Sequence, residues 1–96
     1  MTPQASTLVQ SGDAERPWRL SPQVALRDEE FGALAYHYGT RRLVFLKSRL
    51  LVDLVRALGD HDSAADALEA LVPSSQVSLY DAALSRLAAS EVIDVR

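Results

Sequence analysis

The sequence predicts an α+β domain in which a three-stranded antiparallel sheet is followed by three helices. Residues 31–47, FGALAYHYGTRRLVFLK, alternate like a β-hairpin around Gly39 and Thr40. After Ser48 the leucines and alanines recur at helical spacing instead. Strand signals come first and helix signals follow, the order of an α+β layer rather than of repeating β-α units.

Residues 1–16 mix Thr, Ser, Gln, Gly and Pro without periodicity and read as a flexible N-terminal tail, leaving residues 17–96 as the domain. Leu8 and Val9 form the apolar pair of that tail. Trp18 is the first anchor, expected to cover one end of the core just outside a short strand. Pro22 permits only a strand start or an edge, so the first strand is placed at about residues 23–27, with Asp28, Glu29 and Glu30 as a polar turn. In the hairpin, Gly39 and Thr40 fit a two-residue type II′ loop, with glycine at its first central position. That loop sets Tyr38 opposite Arg41, Tyr36 opposite Leu43 and Leu34 opposite Phe45 on one face. The other face pairs His37 with Arg42, Ala35 with Val44 and Ala33 with Leu46. The first face is bulky and aromatic, the second slim but still mostly apolar, so neither resembles ordinary solvent surface. A hairpin is marginal alone, and the helices must cover one of the two.

Ser48 can cap a helix carrying Leu50, Leu51, Leu54, Val55 and Leu58, with Gly59 as its stop. Asp62 or Ser63 caps a short second helix that ends before Pro73. The stretch SSQVS supplies the next cap. A third helix at about residues 79–90 aligns Leu79, Tyr80, Ala83, Leu84, Leu87 and Ala88 in a broad apolar stripe. The closing EVIDVR alternates and can add a short extended segment. The order β-β-β-α-α-α makes the domain winged helix-turn-helix-like.

Composition narrows the function. Ninety-six residues make one domain, and a chain of that size buries only about two-thirds of its unfolded surface, leaving little core for an elaborate active site. Hydrophobic residues at 48% against 24% charged argue against wholesale disorder. The absence of cysteine excludes disulfides, thiolate catalysis and Cys-ligated zinc or iron–sulfur sites. His37 and His61 fall in different elements and predict no metal site. No apolar run approaches the roughly 18 residues of a membrane span, and no charged region precedes an apolar one at the N-terminus, so no membrane association and a cytoplasmic location are expected. A net charge of −3 confines any nucleic-acid role to local patches.

No Gly-rich phosphate loop, G-x-S-x-G, H-E-x-x-H or calcium loop is present, so neither catalysis nor a cofactor is expected. Asp60, Asp62, Asp66 and Glu69 gather around the second helix, with Asp66 at a capping spacing from Ser63, and read as structural. His37 reads as a half-exposed strand histidine packed on apolar neighbours, with a pH switch or ligand role as the alternative. Arg41, Arg42, Lys47 and Arg49 lie within nine residues of an otherwise acidic chain. They are either a solvated turn and helix start or a positive rim for an acidic partner. The third helix carries Arg86 as its base, near Asp81 and Glu91, which makes a poor DNA-recognition helix, and nucleic acid is not expected as a partner. A free strand edge beside an apolar helix stripe suits an extended peptide added as a further strand; a DNA-binding winged-helix regulator is the competing class, and self-pairing of that edge a third possibility. On this reading a proline at Val44 blocks strand addition while sparing the fold.

Residues 24–47, VALRDEEFGALAYHYGTRRLVFLK, resemble the signature of the small peptide chaperones of mycofactocin biosynthesis, a PqqD-like family of RiPP recognition elements, and the similarity runs on to about Asp94. The resemblance implies a three-stranded sheet followed by three helices, no enzymatic activity and no cofactor. It implies two partners: a short acidic precursor peptide, and a radical SAM maturase that carries the iron–sulfur clusters and acts on the Val-Tyr end of that peptide. In such elements the leader lies antiparallel against the third strand and packs on the third helix. Carried onto this sequence, the peptide-binding residues are Arg41, Arg42, Leu43, Val44 and Phe45 on the strand and Tyr80, Ala83, Leu84 and Leu87 on the helix.

Overall fold

The computed structural model describes residues 13–96; Leu8 and Val9, with most of the expected tail, lie outside the described residues. In chain order the strands and helices are β1 Trp18–Leu20, β2 Val24–Glu29, β3 Gly32–His37, β4 Leu43–Leu46, α1 Arg49–Ala57, α2 Ala64–Leu71, α3 Val77–Ala89 and β5 Ile93–Val95. The antiparallel sheet β2-β3-β4 precedes three helices, as expected, and β1 and β5 form a second antiparallel pair.

That second pair revises the reading of both chain ends. Trp18 stands inside a strand, opposite Val95, rather than just outside one. It is buried, and its indole nitrogen donates to the Asp13 carbonyl at 2.8 Å. Asp13–Glu15 form a 3-10 turn with Ala14 buried, and the Arg16 carbonyl accepts from the Ala64 amide, so this part of the expected tail is packed onto the domain. The alternating C-terminal segment closes the pair, with Arg19 and Asp94 bridging it at 2.9 Å.

In the three-stranded sheet the register is the one read from the hairpin: Tyr36 with Leu43, Ala35 with Val44, Leu34 with Phe45 and Ala33 with Leu46. The slim face is the covered one. Ala33, Ala35 and Leu46 are 0–1% exposed and pack against α1 and the core, where Leu54, Leu58, Leu68 and Leu84 are likewise sealed. Alanine on β3 lets the helix layer approach closely, and the bulky face is left outside. Tyr36, Leu43 and Phe45 are 37%, 55% and 55% exposed, and Phe31 stacks on Phe45 at 5.8 Å between ring centres.

Asp28 and Glu29 are strand residues of β2 rather than a turn, which is reduced to Glu30 and Phe31. Asp28 is held there by Arg56 at 3.2 Å and Arg49 at 3.8 Å. Gly32 follows at φ +149, where a Cβ would run into the Leu46 carbonyl, so glycine is needed for this close approach of β3 to β4.

The helix starts follow local chemistry. Ser48 and Ser63 cap α1 and α2, their hydroxyls accepting from the Leu51 and Asp66 amides at 3.2 and 3.1 Å. Helix α1 does not stop at Gly59; it tightens beforehand into a 3-10 turn, Leu58–Asp60. Helix α3 starts at Val77, out of the 3-10 turn Ser74–Gln76, which replaces the side-chain cap expected from SSQVS.

The hairpin tip is also not a two-residue type II′ loop. Arg41, not Gly39, takes the left-handed conformation at φ +63, a placement that costs a non-glycine residue about 1–2 kcal/mol. The tip is closed by the Arg41 amide donating to the His37 carbonyl at 2.7 Å and the His37 amide donating to the Arg42 carbonyl at 3.0 Å. Arg41 therefore sits in the loop rather than opposite Tyr38 in the ladder.

Adjacent positions on β4 should respond differently to truncation. Leu46→Ala removes a fully buried side chain and is expected to lower stability by about 2–5 kcal/mol in urea unfolding. Phe45→Ala, on the open face, is expected to cost about 1 kcal/mol or less. Equal losses would mean that the covered face has been misassigned.

Candidate functional site

Strand β4 is an edge, with β3 on one side and no neighbour on the other among the described residues. Its hydrogen-bonding parity follows from two bonds at the tip. His37 donates to the Arg42 carbonyl, whereas Tyr38 donates to the Gln23 carbonyl across β2. Bonded and non-bonded pairs alternate along an antiparallel ladder. With the observed register, Val44 and Leu46 therefore face β3 with their backbone groups, and Leu43 and Phe45 turn their N–H and C=O groups to the open side. The opposite edge, β2, carries Asp28 with its paired arginines, a charge of the kind that blunts edge pairing. The four residues of β4, Leu-Val-Phe-Leu, include no charge and no proline.

Beside this edge lies a groove of about 260 Å³ lined by Phe45, Lys47, Ser48, Leu51, Leu79, Tyr80, Ala83 and Arg86. Its floor is apolar and kept low by Ala83. One wall is pinned where the Ser48 and Tyr80 hydroxyls bond at 2.9 Å, tying the start of α1 to α3. Phe45 and Leu79 stand 55% and 64% exposed on either side. Two bases and no carboxylate line the groove.

The wider charge pattern points to the same place. Of the ten Lys and Arg residues, Arg16, Arg19, Arg27, Arg49 and Arg56 pair with carboxylates, and Arg96 donates to the His61 carbonyl. The remaining four, Arg41, Arg42, Lys47 and Arg86, have no side-chain partner among the described residues, and all are exposed. Arg41 and Arg42 mark one end of β4, Lys47 and Arg86 the other. A chain of net charge −3 thus collects its uncommitted positive charge around one open strand edge. Among the described residues no three His, Asp or Glu side chains gather closely enough to hold a metal ion, and no helix is long and apolar enough to cross a membrane.

A sequence model described as the Peptide chaperone MftB family matches residues 17–94. The chain belongs to the peptide chaperone MftB family. It is 49% identical over 82 residues to the peptide chaperone MftB of Mycobacterium ulcerans, an alignment covering 84% of this chain and 75% of that one. It is 48% identical to the protein of the same name from Mycolicibacterium smegmatis and 46% identical to that from Mycobacterium tuberculosis, covering 80% and 75% of those chains. No solved structure matches the chain. Membership of the MftB family makes this protein a peptide chaperone and not an enzyme. The matched span includes β4, α3 and the whole groove between them.

Within this MftB-family fold, the residues named from sequence separate into distinct places. Phe45, Tyr80 and Ala83 meet in the groove. Leu43 lies on the open sheet face, in a hollow shared with Ala25, Arg27, Leu34 and Tyr36. Val44 is half-buried on the inner face, and Arg41 and Arg42 are exposed at the tip. Leu84 and Leu87 turn inward to the core, at 0% and 5% exposure, and do not line the groove. The broad stripe of α3 in fact divides: Leu84 and Leu87 go inside, while Tyr80 and Ala83 look along the edge. Lys47, Ser48, Leu51, Leu79 and Arg86 complete the lining and were not among the named site residues. Arg49 leaves the expected basic rim, because its guanidinium is tied to the Gly32 carbonyl at 3.1 Å.

Parity also overturns the proline test at Val44. That amide faces β3, so Val44→Pro would strip the buried Ala35 carbonyl of its donor, at about 1–3 kcal/mol, and weaken the fold itself. The Leu43 amide faces open solvent. Leu43→Pro is therefore expected to keep a cooperative melt close to that of Leu43→Ala, whereas Val44→Pro is expected to lower it clearly. The reverse order in a thermal melt would invalidate the assigned parity.

Proposed function

We propose that this chain captures a short acidic precursor peptide, the mycofactocin precursor, as an added strand along β4 and presents it to a radical SAM maturase. The observation that carries the proposal is the placement of Arg41, Arg42, Lys47 and Arg86 around a strand edge that has no protecting charge. The family assignment supports the peptide-chaperone role, and the resemblance described above supports the identity of peptide and enzyme.

The chemistry divides into three contributions. Leu43 and Phe45 offer main-chain donors and acceptors to any extended segment, each bond contributing a net ~0.5–1.5 kcal/mol and none depending on the peptide's side chains. Alternate side chains of an added strand point to opposite faces. One set enters the groove against Leu51, Tyr80 and Ala83, and the other lies beside Leu43 and Phe45 on the aromatic face. The four bases select an acidic sequence and accelerate encounter. The leader is then held without covalent chemistry, and the rest of the peptide extends beyond the edge, free to enter the active site of the maturase.

The test is a titration of a synthetic mycofactocin precursor peptide into the wild type, an Arg41→Glu/Arg42→Glu double variant and the proline variant. The double variant is expected to bind on the order of tenfold more weakly at low salt, with the difference shrinking as salt is raised. Leu43→Pro is expected to bind more weakly than Leu43→Ala, having lost an edge donor. Unchanged affinity in both variants, with the fold retained, would move the peptide to another surface.

A further inference from the structure

We propose that His37 is a positioning residue for the cationic end of the peptide site: as a neutral imidazole it locks the hairpin tip that carries Arg41 and Arg42, and its protonation releases that lock and weakens peptide binding. The proposal rests on the reading of Arg41 and Arg42 as part of the peptide rim.

Four hydrogen bonds of the tip converge on this one residue. Its Nδ1 accepts from the Gly39 amide at 3.0 Å and from the Thr40 amide at 3.1 Å. Its carbonyl accepts from the Arg41 amide at 2.7 Å, and its own amide donates to the Arg42 carbonyl at 3.0 Å. The ring lies directly under the tip: a Cβ on Gly39 would come within 3.0 Å of Cε1 and would also run into the Gln23 side chain. Gly39 is therefore there for room, since the left-handed residue of the tip is Arg41. With both ends of the loop bonded to His37, Arg41 has little freedom to leave that conformation.

Two backbone N–H groups pointing at Nδ1 dictate its protonation state. Nδ1 must be a bare acceptor, so the proton of the neutral ring is on Nε2. The imidazolium carries N–H on both nitrogens, and a donor would then face two donors. His37 is only 6% exposed, so the ring cannot swing its new Nδ1 donor out to bulk water without leaving its place under the tip. The two amide bonds are therefore compatible with the neutral imidazole and not with the imidazolium.

The charged groups around the ring come from several elements. Arg42 is bonded to His37 across the ladder through its carbonyl, with its side chain exposed. Glu91 and Asp94, from the turn before β5 and from β5 itself, line the same hollow as the ring, together with Trp18, Ser21 and Gln23. Asp94 is already engaged by Arg19 at 2.9 Å. The sign follows from the hydrogen bonds: the locked tip belongs to the neutral ring, so protonation of the ring lowers peptide affinity.

The discriminating variant is His37→Asn. Its Oδ1 occupies the same place on Cγ as Nδ1 and can accept the same amides, but it does not take up a proton in this range. Titrations of the synthetic mycofactocin precursor peptide from pH 7.5 to 5.5 are expected to show a loss on the order of tenfold for the wild type and a nearly flat profile for His37→Asn. In peptide-free wild type, the Gly39 and Thr40 amide resonances are expected to move with the same midpoint as the imidazole nitrogens, with the neutral form carrying its proton on Nε2. The same pH dependence in both proteins, or Gly39 and Thr40 amides unmoved through the imidazole titration, would overturn the proposal. Failure of the underlying peptide-site reading shows up elsewhere, as full affinity in the Arg41→Glu/Arg42→Glu variant at pH 7.5.

Discussion

The alternation along β3 is the constraint on which the rest of the molecule depends. Tyr38 and the residues two and four before it bond toward β2, and His37, Ala35 and Ala33 bond toward β4. The same period of two assigns the faces. Ala33, Ala35 and His37 look to the helices, while Leu34 and Tyr36 look away. Alanine is a poor strand former by intrinsic preference. Here it is favoured by what it allows, an approach of α1 close enough to seal Leu46, Val52 and Val55 completely. A one-residue slip would exchange the two faces and also the two edges. The open aromatic face, the open backbone of Leu43 and Phe45, and the buried ring of His37 are thus consequences of a single register.

That register was legible in the hairpin, because alternation with a short loop leaves few alternatives, and the Ser48 and Ser63 caps were legible because their signals are local. What escaped depends on distant partners or on competition between acceptors. The β1–β5 pair joins residues 75 apart in sequence, as in Arg19 with Asp94, and nothing local announces it. The type II′ turn was suggested by Gly39, yet the imidazole of His37 offers its loop amides an acceptor that pattern rules do not weigh. Both faces of the hairpin looked apolar, and only the volume available under α1 decides between alanine and tyrosine. On α3, periodicity identified a stripe but not its division between core and groove. Leu84 and Tyr80 lie four residues apart on one side of the helix, yet Leu84 is sealed in the core while Tyr80 lines the groove and bonds Ser48.

Charge was the least legible feature. In sequence Arg49 belongs with Arg41, Arg42 and Lys47, and Arg86 stands alone among acids. In the fold Asp28, Glu29 and Gly32 of the β2–β3 turn region claim Arg49, while α3 carries Arg86 to the groove. Exposed pairs such as Arg49 with Asp28 contribute at most about 1 kcal/mol each. Their larger effect is to remove bases from circulation, which makes the four remaining ones a local field opposite in sign to the whole chain.

The same four bases answer a difficulty created by the edge itself. A short apolar strand with free backbone groups is a template for any extended chain, including a second copy of this protein. Pairing two β4 edges antiparallel would bring Arg41 and Arg42 of one copy against Lys47 and Arg86 of the other, four unpaired positive charges at each end of the new ladder. Like charges set opposite one another across strands are destabilising. In the proposed complex, an acidic peptide would reverse the sign of every one of those encounters while making the same main-chain bonds with Leu43 and Phe45. On the proposed function, discrimination against self-pairing and attraction of the ligand would therefore come from one set of side chains. Because the repulsive part fades with salt while the backbone template does not, the edge is selective only where its charges are felt.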